Sequence, residues 1–149
     1  MSNEDIYLSS LINVIISRFN RIADDYENSA YELEKKIKDF CFLENDRDRF
    51  FYDKRDIISN VVLFKKKAFM YRYIAGILNN SMQILVRNKK KIDRKMLEKI
   101  VNEKMDIEEA VDYIIEVLKN VMNVNIDKNE YYEVREYEIR KLFGVLCKY

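Results

Sequence analysis

The chain has 149 residues, 48% apolar and 36% charged, with a net charge of +1 and no histidine, no proline, two glycines and two cysteines. Without histidine there is no His-dependent triad, no His general base and no His-ligated metal. Two cysteines cannot build a Cys₄ zinc site, and two glycines write neither a P-loop nor a dinucleotide fingerprint.

The scarcity of turn residues argues against sandwiches and barrels and predicts an all-α fold. At this length the chain reads as a single helical domain over residues 1–149. The expected architecture is a compact bundle of five to six helices around a central apolar helix near 60–86.

The first helix is predicted over 4–27. Leu8, Leu11, Ile12, Ile15, Phe19, Ile22, Ala23 and Tyr26 recur at steps of three and four and make one apolar face. Ser2 or Asn3 is its candidate cap, and Glu4 and Asp5 suit the positive end of its dipole. The S-x-x-E spacing of Ser29 and Glu32 predicts a restart there, with Ala30, Leu33, Ile37 and Phe40 as the next stripe.

Residues 44–48 read as a loop. A short helix near 49–59 and a long one near 60–86, fused or separate, follow. With Lys65 at the origin of a helical wheel, Arg72, Asn79 and Gln83 fall within about 40° of it, a narrow polar stripe. Val62, Leu63, Phe64, Met70, Tyr71, Ile74, Ile77, Leu78, Met82 and Leu85 cover most of the rest.

Arg87–Lys91 reads as a connector. Asp93 is the predicted cap of a helix over 94–104, and Asp106 opens another with Ala110, Val111, Ile114, Leu118 and Val121 on its inner face. Residues 123–130 read as a loop and 130–147 as a final helix. No repeat or low-complexity segment is present.

Charge is unevenly distributed. Residues 1–53 carry net −5, residues 54–104 net +10 and residues 105–149 net −4. Lys65, Lys66 and Lys67 form one basic group. Arg87, Lys89, Lys90, Lys91, Arg94, Lys95 and Lys99 form a second, and Arg72 lies between them. On the wheel Lys66 and Lys67 point toward the apolar side. An unpaired buried ammonium is costly, so either the helix starts near Lys67 or the stems run out to an edge.

These residues are the candidate nucleic-acid-binding set: a basic track that follows a phosphate backbone, RNA or DNA. The opposing expectation is self-complementation, with the basic centre meeting the acidic flanks in the same fold or in a second copy of the chain. A third is a helical adaptor or inhibitor that takes a partner protein's amphipathic helix in an apolar groove. Viral Bcl-2-like proteins are similar to that architecture at this size, and small helical subunits of RNA-guided effector complexes are the nucleic-acid counterpart. Both analogies are architectural and carry no motif residues.

No catalytic residue is read. Glu108, Asp112 and Glu116 share a helix face but read as solvated rather than as a cation site. No cofactor, metal or enzymatic role is expected, and the reading is a non-enzymatic small subunit of a larger assembly. The acidic start MSNEDIY differs from the basic start of a signal peptide. The longest uncharged run, residues 73–86, is too short to span a bilayer. An intracellular, cytoplasmic location is expected, with Cys41 and Cys147 as thiols rather than a disulfide.

Overall fold

The computed structural model describes residues 2–41, 43 and 45–148. Its regular elements are all helical: α1 (Asn3–Cys41), α2 (Arg47–Asn80), α3 (Met82–Arg87), a 3-10 turn (Lys89–Lys91), α4 (Arg94–Val101), α5 (Ile107–Met122), α6 (Lys128–Tyr132) and α7 (Glu136–Leu146). The all-α fold class is therefore as expected, with more and shorter helices in the second half.

The chain divides into two compact units. Unit 1 comprises residues 1–21 and 71–127, and unit 2 comprises residues 22–70 and 128–149. Helices α1 and α2 each contribute one part to each unit.

In unit 1, Leu8, Leu11, Ile12, Ile15 and Phe19 of α1 are buried, as are Tyr71, Ile74, Ala75 and Leu78 of α2. Leu85 and Val86 of α3, Leu97 and Ile100 of α4, and Ala110, Val111, Ile114, Val117 and Leu118 of α5 complete its core. The Phe19 and Tyr71 rings meet edge to face at 5.3 Å, a geometry that adds about 0.5–1.5 kcal/mol beyond the area it buries.

Unit 2 closes around Ala30, Ile37, Cys41, Phe50, Phe51, Ile58, Val61, Ile139, Phe143, Leu146 and Cys147. Phe143 lies 5.0 Å from Phe51 and 6.2 Å from Phe50, centre to centre.

Several boundaries differ from the sequence reading, each for a physical reason. The restart at Ser29 does not occur, and α1 runs unbroken for 39 residues. Leu8 and Ala30 are 22 residues apart, which is within about 40° of a whole number of turns. The two stripes therefore share one phase, and a single helix serves both. Phe40, placed on that stripe, is instead 55% exposed.

The segment near 60–86 is not one helix. The helix begins at Arg47, where Asp46 Oδ1 accepts from the Arg49 N–H at 3.1 Å. It ends at Asn80, and α3 restarts at Met82 beyond Ser81, whose backbone (φ −114°, ψ 15°) leaves the helical region although Leu85 N still donates to Ser81 O at 3.0 Å.

The final helix is broken between Tyr132 and Glu136. There the Glu138 carboxylate turns back to accept from the Arg135 N–H at 3.1 Å, starting α7 afresh. The predicted caps hold elsewhere. Ser2 Oγ accepts from Asp5 N, Asp93 Oδ1 from Lys95 N and Asp106 Oδ2 from Glu108 N, at 3.0–3.2 Å.

The cysteine expectation is corrected. Cys41, the last residue of α1, and Cys147, just past α7, are joined by a disulfide with their Cα atoms 5.6 Å apart, inside the ordinary disulfide range. Sequence spacing hid this, because 106 residues separate them.

Candidate nucleic-acid interface

The first lysine group lies in unit 2, on an unbroken stretch of α2. None of the three stands at a helix start, so each ammonium finds its partner in place. Lys65 forms an ion pair with Glu34 of α1. Lys66 Nζ donates to the Glu133 carbonyl at 2.7 Å and to Glu138 Oε1 at 3.1 Å. Glu133 lies in the break between α6 and α7 and Glu138 in the first turn of α7, so Lys66 fastens that corner. The Lys67 ammonium sits 4.5 Å from the centre of the Tyr132 ring and 5.7 Å from that of Tyr26, positions where the aromatic quadrupole attracts a cation. For this group, self-complementation describes the geometry.

The second group lies in unit 1, together with Arg72, which is half-buried on α2. Two of its members are held by carboxylates. Lys89 Nζ reaches Asp5 Oδ1 at 2.9 Å and Glu4 Oε2 at 3.7 Å. The hydrogen bond from Lys89 lowers the Asp5 pKa, and the same bond raises that of Lys89. Arg94 Nε bonds Glu98 Oε1 one turn along its own helix at 3.3 Å, and its guanidinium lies 5.7 Å from the Tyr7 ring centre.

Arg87, Lys90, Lys91, Lys95 and Lys99 are different. All five are exposed, and none has an ion-pair partner among the described residues. They fall on the end of α3, the 3-10 turn and α4. Lys95 and Lys99 are four residues apart and share a face of α4.

The scaffold beneath this stretch is fixed at several points. Ile92, Leu97 and Ile100 are buried. The Tyr113 hydroxyl of α5 accepts from the Asp93 N–H at 2.8 Å, which holds the residue that caps α4. Burial raises the Tyr113 pKa. At the other end of α4, Arg18 Nη1 donates to the Ile100 carbonyl at 2.6 Å. This contact between α1 and the end of α4 was not visible in the sequence, which offers no local signal for a partner 82 residues away.

Unit 2 carries a different surface feature. A cleft of about 510 Å³ between α2 and α7 is lined by Val62, Leu142, Tyr137 and Val145, with Lys65, Lys66, Lys141 and Glu138 beside them. Tyr137 is 63% and Val145 55% exposed.

Among the described residues, no group of three or more cysteine or carboxylate side chains is placed to hold a metal ion. Likewise, no helix there is long and apolar enough to cross a membrane. Compared with known proteins, the chain matches no family model, no curated sequence and no solved structure. Function is therefore argued from the side chains alone.

Proposed function

We propose that the chain is a non-enzymatic binding protein whose segment 87–99 holds the phosphate backbone of a nucleic acid without reading its sequence. One observation carries this reading: five exposed cations, Arg87, Lys90, Lys91, Lys95 and Lys99, lie within 13 residues with no carboxylate partner among the described residues. Unpaired like charges repel one another, and a polyanion relieves that repulsion while releasing its condensed counterions. The reading is narrower than the basic track of the sequence. Lys65, Lys66, Lys89 and Arg94 already serve carboxylates, and Lys67 serves two tyrosine rings.

Salt dependence is the test. Each phosphate neutralised contributes a slope of about −0.9 on duplex DNA, or −0.7 on a single strand, to log K against log salt. Five contacts give a slope of about −3.5 to −4.5, a loss of roughly 100–500-fold in affinity between 50 and 200 mM salt. Fluorescence anisotropy on oligonucleotides of unrelated sequence should give the same slope for each. Absence of binding at 50 mM salt, or affinity indifferent to salt, removes the proposal.

The cleft between α2 and α7 supports a second reading, an adaptor that takes a partner's amphipathic helix. Val62 and Leu142 form an apolar floor and Tyr137 and Val145 stand exposed beside it. Calorimetry with an amphipathic helical peptide should then show a negative heat-capacity change and weak salt dependence. Replacing Val145 with Glu should abolish that binding. Heat signals that vanish at moderate salt count against the cleft.

A further inference from the structure

We propose that the Cys41–Cys147 bond is a reversible thiol–disulfide latch that holds the last turn of α7. The two residues are the only cysteines in the chain. They stand at two helix ends, the last position of α1 and the position after α7, and are 1% and 0% exposed. Helix α7 has 11 residues, fewer than a helix needs to persist alone in water. Its other tethers lie at or before Phe143: Arg55 pairs with Glu136, Lys66 bonds Glu138, the Arg140 guanidinium lies 4.7 Å from the Phe51 ring centre and that of Arg47 5.4 Å from the Phe143 ring centre. Beyond Phe143, the buried anchors are Leu146 and Cys147 itself. The disulfide thus fixes the turn where the remaining anchorage is thinnest.

Access to the sulfurs follows from the same placement. Helix ends open locally far more often than a domain unfolds. When α7's last turn opens in the reduced protein, the Cys147 thiolate attacks a small-molecule disulfide such as oxidised glutathione. A mixed disulfide forms and one glutathione thiolate leaves. The Cys41 thiolate then attacks the Cys147 sulfur and expels the second glutathione thiolate. Two protein thiols become one disulfide, two electrons pass to glutathione, and the protons released by the cysteines are taken up by the departing thiolates. A dithiol runs the same steps in reverse.

Burial of both sulfurs distinguishes this latch from an exposed redox-sensor cysteine. Its rate is set by opening of the helix end rather than by thiol reactivity alone. Val145, which lines the cleft between α2 and α7, lies inside the turn that the latch controls.

The test uses the full chain, treated with oxidised glutathione or with dithiothreitol, then alkylated and weighed intact. Hydrogen exchange is followed in parallel. The oxidised form should take up no alkyl group and the reduced form two. Amides of α7's last turn should exchange about tenfold or more faster in the reduced form, while α5 in unit 1 is unchanged. Cys41→Ser and Cys147→Ser should exchange like the reduced chain in both buffers. Two alkylated thiols after glutathione treatment of the native chain would overturn the proposal. So would equal exchange in oxidised and reduced wild type, a comparison that requires no variant to fold.

Discussion

Ile74→Asp should abolish cooperative folding of unit 1. Ile74 is 0% exposed on α2, within the core that α1, α3, α4 and α5 complete. Aspartate there loses the apolar burial, about 2–5 kcal/mol for a large-to-small change. It also buries a carboxylate at a position shielded from water, which costs several kcal/mol more or forces the group to stay protonated. Domains of this kind are stable by about 5–15 kcal/mol in all, so the sum exhausts most or all of the margin. Thermal melts followed by circular dichroism should lose their transition or move it below the working range.

A nearby control isolates burial from any general sensitivity of α2. Gly76 lies two residues on, is exposed, and has open space where a Cβ would stand. Gly76→Ala should raise stability by about 0.5–1 kcal/mol, because glycine in a helix interior is unfavourable by that amount. A wild-type melt for Ile74→Asp would mean that this face of α2 is not in the core.

Replacing Arg87, Lys90, Lys91, Lys95 and Lys99 together with alanine should reduce nucleic-acid affinity at 50 mM salt by about a hundredfold or more and flatten the salt slope toward zero. The fold should survive, because these side chains are exposed and bond nothing that the core uses. Alanine at Lys65, Lys66 and Lys67 should do the opposite. It removes the partner of Glu34 and both bonds that fasten the corner between α6 and α7. The loss should be about 1–3 kcal/mol, with nucleic-acid affinity unchanged. If the second variant weakens binding as much as the first, the interface includes α2 of unit 2 and the assignment to 87–99 is wrong. If the first binds as wild type, the cations are solvent-facing only and the proposed function falls.

What the sequence made legible is what local rules control. The Leu8-to-Phe19 stripe, the caps at Ser2, Asp93 and Asp106, and the basic run at 87–91 were all readable, because each depends on neighbours within one or two turns. The failures have a common physical origin. Ser29 and Glu32 have capping spacing, but the apolar phase carried across them was the stronger instruction. The partners of Lys66 lie 67 and 72 residues away, so the sequence could say that its ammonium needed company but not what supplied it. The cysteine pair is the same case at greater range. Within the candidate interface, the residues were legible as a set. Their division into paired and unpaired cations was not, since that depends on which acidic side chains the fold brings alongside.

The interleaving of the two units bears on how the protein is made. Unit 1 draws residues 1–21 and 71–127, with the first stretch of unit 2 inserted between them. A ribosome therefore emits the apolar stripe of α1 about 100 residues before the α5 face that completes its core, an interval of roughly 5–20 s at ordinary elongation rates of about 5–20 residues per second. Unit 2 waits in turn for α6 and α7. Neither unit can be cut out as one continuous segment of sequence, and neither finishes folding while its first half is being synthesised. During those seconds Leu8, Leu11, Ile15 and Phe19 are what a nascent-chain chaperone would find to hold.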